Sequence, residues 1–295
     1  MKILLALFLT LSLTASGQQI NTGLPFLKNG TDARSAGMGE AMTAVAGDHS
    51  SFAYNPAALT ATPQRQLMLS HRTGFADVTI DQIGATLPGS EWSVGLSAVT
   101  SSVGGIEVRL RPGDAEGTFS ARNAALAAGV SYAVSTDITI GASGKLLYEK
   151  IYIDEASGYA VDAGVLYRLS DAFTTGASLL NIGSMGVLRS AASELPASLR
   201  LGGAYNAGLT DQFTLVAAAD LVKTLDDDGT HLHLGFETTY DNMLMVRGGY
   251  QTGYETRSFS GGLGVRYGML RVDYSIVPNT GAFLPNHTVS LLFYL

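Results

Sequence analysis

"ITIGASGKLLYEK" at residues 138–150 and "YAVDAGVLYRL" at residues 159–169 are the segments on which the fold turns. Successive side chains of a strand point to opposite faces. Read this way, the first segment sets Ile138, Ile140, Ala142, Leu146 and Tyr148 against Thr139, Ser143, Lys145 and Glu149. The second sets Tyr159, Val161, Ala163, Val165 and Tyr167 against Asp162, Gly164 and Arg168. Each has one apolar and one more polar face. Upstream, "WSVGLSAVT" divides into Trp92, Val94, Leu96 and Ala98 opposite Ser93, Gly95, Ser97 and Val99. At the end of the chain, "HTVSLLFYL" places Val289, Leu291, Phe293 and Leu295 opposite Thr288 and Ser290.

The pattern recurs from residue 66 onward, with segments beginning near residues 66, 76, 90, 118, 137, 157, 172, 196, 213, 231, 243, 259, 270 and 287. About fourteen such segments fit the even strand numbers of single-chain transmembrane β-barrels. Segments near 78–87 and 173–181 alternate poorly, and a bulge is expected in each. Every second connection is short, as in "PGSE", "SVSTD", "LSDA", "GLTDQ", "YDNM" and "YGM". Most of the others are longer: "SSVGGIEVRLRPGDAEG", "IGSMGVLRSAASEL", "KTLDDDGT" and "VPNTGAFLPN". The first connection, near "RTGF", is the exception. Tight turns at one end and longer loops at the other are the asymmetry of an outer-membrane barrel, with the tight turns periplasmic and the loops extracellular.

Composition agrees. The chain carries 15% charged residues, 35 glycines and a mean hydropathy of +0.20. After the first residues, no apolar run approaches the roughly 18 residues of a membrane helix. "MKILLALFLTLSLTASGQQ" combines Lys2, an apolar run and small residues, and reads as a secretory signal over residues 1–17, cut just before Gln18 or a few residues earlier. There is no Cys, hence no disulfide, thiolate-metal site or lipoprotein anchor. A formal charge of −7 gives no electrostatic footprint for nucleic acid.

The polar faces carry charges of both signs: Lys145, Glu149, Asp162, Arg168, Arg200, Asp220, Arg247, Arg266, Arg271 and Asp273. Inside a narrow barrel such charges must pair, so they are expected to form an internal network. Leu147, Leu166 and Leu180 fall on the same inner faces. Aromatics near segment ends, including Trp92, Tyr132, Tyr148, Tyr167, Tyr205, Tyr250, Tyr267, Tyr274 and Phe293, suit interfacial girdles. No catalytic, metal or cofactor site is expected. His231, His233 and Glu237 share a face but span too much strand to converge on one ion, and a polar inner wall is the simpler reading. "DDDG" at 226–229 lacks calcium-loop spacing, and no G-x-S-x-G nucleophile motif occurs.

The stretch "ARSAGMGEAMTAVAGDHSSFAYNPAAL" precedes the alternating region. Its "GMG" is not a phosphate cradle, because no buried strand leads into it. Asn55 suits a helix N-cap and Pro56 a first helical position, so "NPAAL" should open a short helix. The stretch resembles the N-terminal signature of PorV/PorQ-type outer-membrane proteins, within the wider group of FadL-like barrels. Ala33, Arg34, Gly37, Met38, Gly39, Asn55, Pro56 and Ala57 carry the likeness, while Glu40 and Met42 stand where smaller residues are expected. The resemblance implies an all-β, transmembrane antiparallel barrel of fourteen strands with an N-terminal hatch in its lumen. The expected organisation is a hatch over residues 18–65 and a barrel over 66–295, with Val289, Leu291, Phe293 and Leu295 forming the closing assembly strand. The expected place is the bacterial outer membrane, and the expected partners are lipid and the barrel-assembly machinery. The PorV/PorQ likeness further implies a non-enzymatic role beside the type IX translocon and its secreted cargo. The wider group implies, as the alternative, uptake of hydrophobic small molecules.

Overall fold

A computed structural model describes residues 23–74, 77–109, 111–225, 229–280 and 284–295. The signal segment over 1–17 and residues 226–228 of "DDDG" lie outside the described residues. The strands are β1 (Gln66–Thr73), β2 (Val78–Pro88), β3 (Trp92–Val108), β4 (Gly117–Ala133), β5 (Ile138–Ile151), β6 (Asp154–Arg168) and β7 (Phe173–Met185), followed by a small surface ribbon, β8 (Val187–Leu188) with β9 (Ala191–Ala192). The series continues with β10 (Ser198–Gly208), β11 (Phe213–Thr224), β12 (Thr230–Tyr240), β13 (Leu244–Gln251), β14 (Phe259–Tyr267), β15 (Leu270–Val277) and β16 (Asn286–Tyr294). Without the ribbon, fourteen strands close into an antiparallel barrel whose seam joins β1 to β16. Closure leaves no strand edge unpaired, which is the condition for a sheet to exist in lipid. No helix among the described residues is long and apolar enough to cross a membrane.

The alternation settles which face is which. Ile138, Ile140, Leu146, Tyr159, Val161 and Tyr167 are exposed on the outside, whereas Ser143, Leu147, Glu149, Asp162 and Leu166 are buried within. Aromatic pairs stand across neighbouring strands at the tight-turn end: Trp92 with Tyr132, Phe173 with Tyr205, and Phe213 with Tyr240. Tyr250 and Phe259 make a further pair toward the loop end. The closing strand turns Val289 and Leu295 outward and buries Thr288, Ser290 and Leu292.

One expected bulge is present and the other is displaced. The β6–β7 register shifts between Val161 and Ala163, where Asn181 takes φ +60°. The 78–87 segment runs without a shift against both neighbours, and the second irregularity falls in β3 between Val103 and Ile106, at Gly105 with φ +67°. β2 alternates poorly because both of its faces mix polar and apolar side chains. Asp81 stands outside among Ile83 and Leu87, and Gln82 and Thr86 are buried inside beside Ile80.

Residues 23–62 fill the barrel. They form short turns rather than long helices: Pro25–Lys28, α1 (Ala33–Gly37), His49–Ala53 and Pro56–Ala61. Each of the last three is opened by a side-chain cap, from Asp32 to Ser35 N, Asp48 to Ser50 N, and Asn55 to Ala57 N. Such caps satisfy orphan backbone donors that burial would otherwise leave unpaired.

Candidate functional site

The site is the lumen, and its floor is the hatch. Two kinds of contact hold the hatch to the wall. The first is ionic. Arg34 of α1 donates Nε and a terminal nitrogen to the two oxygens of Glu237 on β12, at 3.0 and 2.7 Å. Glu237 accepts from Arg247 at 2.5 Å, Arg247 donates to Asp273 at 2.7 Å, and Asp273 accepts from Arg271 at 2.7 Å. Arg271 then reaches Asp48 of the hatch at 2.7 Å, and Asp48 returns to Arg34 at 3.0 Å. The six side chains thus alternate in sign around a closed cycle. All are buried. Burial pushes the Asp48 carboxyl up, but Arg34 and Arg271 hold it well below the usual carboxylate range.

A second cluster fixes the middle of the hatch. One Asp220 oxygen on β11 accepts from the amides of Met42 and Thr43 at 2.9 Å each, from the Thr43 hydroxyl at 2.7 Å and from Arg200 at 3.0 Å. Arg200 also donates to the Glu40 carbonyl at 2.6 Å and lies over the Tyr54 ring. Glu40 itself takes φ +59° and accepts from the Gly30 amide at 2.9 Å. Burial raises its carboxyl, yet Arg257, 3.5 Å away, holds it down to about 2. Arg72 donates to the Gly30 carbonyl at 2.8 Å.

The second kind of contact is steric. Apart from β11, each barrel strand from β2 to β14 presents an inward glycine on which the hatch rests. Any side chain at Gly95 or Gly129 would meet Leu59 or Phe52, and one at Gly141 would collide with the Pro56–Ala57 backbone. Gly164 and Gly176 receive Asn55, Gly202 receives Thr43, Gly235 receives Met38, and Gly262 lies against Gly37. Several of these glycines are directly paired across strands: Gly95 with Gly129, Gly141 with Gly164, Gly176 with Gly202, and Gly235 with Gly249. At β11 the buried Ala218 does the same service beside Met42 and Tyr54. The belt explains why so Gly-rich a wall is needed: backbone must approach backbone inside a narrow barrel.

Of the charges assigned to the inner faces, Arg247, Arg271 and Asp273 enter the cycle, and Arg200 and Asp220 grip the hatch. Lys145 pairs with Asp162 at 2.9 Å, and Glu149 accepts from Ser193 at 2.6 Å. Arg168 and Arg266 are corrections. Both have inward parity, but they stand where their strands end at the tight turns. Arg168 is exposed and faces Asp137 at 3.6 Å, and Arg266 lies over the Tyr294 ring. Sequence reading placed Glu237 on the polar inner wall but outside the set of paired charges, and it missed Asp48, Arg72 and Arg257. Arg72 could have been found from the alternation Met68, Ser70, Arg72, whereas Arg257 lies in a connection with no periodicity. His231 and His233 pack on Tyr254, with His233 Nε2 2.9 Å from its hydroxyl, and Glu237 is committed to the cycle. No group of His, Asp or Glu with metal-holding geometry occurs among the described residues.

Above the hatch, at the loop end, a vestibule of about 600 Å³ opens. Its lining combines Leu27, Val78, Ile80, Leu180 and Val222 with Lys28, Arg72, Arg200 and Arg257, and contains no carboxylate among the described residues. Leu27 and Ala53 separate it from a smaller hollow of about 60 Å³, bounded by Phe26, Phe52, Val99 and Ala125.

A closed fourteen-stranded antiparallel barrel with an N-terminal plug seated in its lumen is the FadL-like outer-membrane barrel fold. A family model described as "Uncharacterised protein family (UPF0164)" matches residues 18–164. No curated protein matches the chain. Among solved structures, the chain is similar to a TodX deltaS2S3 mutant monoaromatic hydrocarbon channel (15% identity, TM-score 0.67, 90% of this chain and 99% of that one). It is similar to the CymD monoaromatic hydrocarbon channel (14% identity, TM-score 0.66, 93% and 99%). It is also similar to a Pseudomonas aeruginosa FadL homologue (12% identity, TM-score 0.65, 95% and 100%).

Proposed function

We propose that the protein is a non-enzymatic outer-membrane conduit for hydrophobic small molecules, above all amphipathic ones carrying an acidic group. The vestibule carries the reading. It sets an apolar lining beside four cationic side chains and no carboxylate among its described residues, which suits an apolar body with an anionic head. The neighbouring hollow continues that apolar surface past Phe26 and Phe52 toward β3–β5. The fold shared with hydrocarbon channels supports the same class of cargo. In this arrangement the tight turns face the periplasm and the vestibule faces the exterior, after export through the N-terminal signal and insertion by the barrel-assembly machinery.

The test is binding and uptake of an isotope-labelled long-chain carboxylate by the barrel in liposomes, against the alcohol of equal length. Arg72→Ala with Arg257→Ala should weaken the carboxylate more than the alcohol. Failure of the intact protein to bind either compound would end the uptake reading. A tag between Gly113 and Glu116 should be labelled on intact cells and one at Thr136–Asp137 should not.

The second reading is a PorV/PorQ-type role in type IX secretion or cargo display. β3 and β4, 17 residues each against 8 for β1, form a hairpin taller than the seam side, and such a projection offers a secreted protein something to grip. A deletion strain that keeps uptake but loses surface display of exported proteins would favour this reading.

A further inference from the structure

The outer wall marks its own boundaries. On β4 the outward side chains run from Tyr132 at the tight-turn rim through Val130, Ala128, Leu126 and Ala124 to Arg122. On β11 they run from Phe213 through Leu215, Ala217, Ala219 and Leu221 to Lys223. Each series sets an aromatic ring, then apolar positions, then a cation. From Tyr132 to Arg122 the strand rises roughly 33 Å, or roughly 25 Å after tilt, which is about the height of the apolar band around an outer-membrane barrel. Arg122 therefore stands where that band ends. On β5, Lys150 is the next outward residue beyond Tyr148, at the same edge.

Arg122 and Lys150 stand directly opposite each other across the β4–β5 ladder. Like charges so placed repel. Little on the wall offsets them. Arg122 is exposed and makes no hydrogen bond or ion pair among the described residues. Lys150 is 44% exposed, and its carboxylate neighbour Glu155 lies 3.8 Å away. Glu155 already accepts from the Tyr148 hydroxyl at 2.8 Å, and Glu107, farther up β3, accepts from Arg109 at 2.8 Å. Lys223, by contrast, donates to the Gly229 carbonyl at 3.3 Å.

An anion seated between the two cations removes that repulsion, and the planar guanidinium of Arg122 can meet two oxygens of a phosphate at once. Ser102, opposite Arg122 on β3, adds a hydroxyl to the row. Lower on the same two strands, Leu126 and Leu146 are also directly opposed, and they are 58% and 67% exposed. The wall thus offers cations at the edge of the band and an apolar track beneath them. That is the complement of a phosphate carried on acyl chains.

We infer that the outer wall of β4–β5 binds a phosphorylated lipid of the loop-end leaflet, with its phosphate between Arg122 and Lys150 and its chains along Leu126 and Leu146. This rests on the barrel lying in a membrane and not on what its lumen carries, so it survives failure of the uptake reading. The delipidated barrel in mild detergent is offered diacyl phosphatidate, diacylglycerol with the same chains, or inorganic phosphate, and adducts are read by native mass spectrometry. Phosphatidate should be retained one to one, diacylglycerol should bind far more weakly, and equimolar inorganic phosphate should not displace the lipid. Arg122→Gln with Lys150→Gln should weaken retention roughly thirtyfold, the combined effect of two cations beside a charged headgroup. If that variant fails to fold, by heat-modifiability, Arg122→Gln alone takes its place, with a loss of roughly fivefold. Arg109→Gln, which removes a cation beyond the band, should retain the lipid as the parent does. Equal retention of phosphatidate and diacylglycerol, undiminished retention in the folded Arg122 variants, or an equal loss in Arg109→Gln would overturn the inference. So would displacement of the lipid by equimolar inorganic phosphate, which would mark a plain anion site. Recovery of the protein in the soluble fraction would overturn the membrane reading and this inference with it.

Discussion

The hatch touches its wall in two unlike ways on its two sides. Glycines seat it nearly all round, but against β12, β13 and β15 it is also tied by a closed cycle of six charges, whereas against β3–β6 no hatch–wall ion pair occurs among the described residues and glycine backbone meets Leu59, Phe52, Asn55 and the Pro56 turn. The ionic side is specific and brittle: a net-neutral cycle is stable only while complete, since each member lost strands a buried charge. The glycine side is tolerant of loss and intolerant of gain. Removing a contact there opens a small space, but adding a methyl group expels the plug. The smaller hollow, bounded by Phe26, Phe52, Val99 and Ala125, lies on the glycine side, so a lumen that yields should yield there first, with α1 as the anchor.

Breaking the cycle should have the largest effect. Arg34→Ala leaves Asp48 and Glu237 short of a partner, at a cost of about 3–5 kcal/mol. The barrel ladder is untouched, so heat-modifiability should persist while protease cleavage near residues 40–55 becomes fast. An unchanged cleavage pattern would show that the cycle does not anchor the hatch.

Acid probes the boundary between the two sides. His49 is buried with Nδ1 2.8 Å from Thr86, and burial lowers its pKa from 6.5 to about 4. A folded value below the unfolded one means that the fold favours the neutral ring. The stabilisation is complete above pH 6.5, declines between 6.5 and about 4, and is gone below that. Its size is on the order of 3 kcal/mol. Hydrogen exchange of hatch amides should quicken between pH 7 and 4.5, and His49→Gln should flatten that dependence. A pH-independent exchange rate in the intact protein would contradict it.

On the glycine side, Gly141→Val should cost about 1–3 kcal/mol by overpacking, with raised solute permeability in liposomes. Gly144→Ala on the same strand meets open space and should behave as the parent. Equal behaviour of the two would mean that the glycines do not seat the plug. The smallest effect is expected from Asn55→Ala, which removes a cap and bonds to the Thr43 and Val165 carbonyls. A cap is worth about 0.5–2 kcal/mol, enough to raise hatch protease sensitivity slightly and leave permeability near that of the parent.

Much of the barrel was legible because period-two alternation and loop asymmetry are local signals. The segment beginning at 138 and the strand Ile138–Ile151 coincide, as do those at 259 and 270 with β14 and β15. The irregularity expected in β2 and found in β3 shows the limit. Alternation reports the polarity of each face, and at Asp81 the outer face is itself polar, with His71 directly across the hairpin. The interior network was legible only as a set of charges. Which arginine meets which carboxylate depends on register across strands far apart in sequence, as with Arg34 and Glu237. Glu40 looked like a departure from the hatch motif, yet its left-handed backbone and its bonds to Gly30 and Arg257 make it part of the floor.

The placement of α1 has a consequence for how the molecule comes together. The helix leaves the ribosome early, yet the groups that hold it come late: Glu237, Arg247, Arg271, and Ser290, whose hydroxyl accepts from the Ala33 amide at 2.8 Å. The strand carrying Ser290 is also the one that completes the seam with β1. Plugging and closure therefore share a single late step of high contact order. A nascent chain stopped before β15 would hold both an unzipped wall and an unmoored hatch, and a quality-control protease would meet the two defects together.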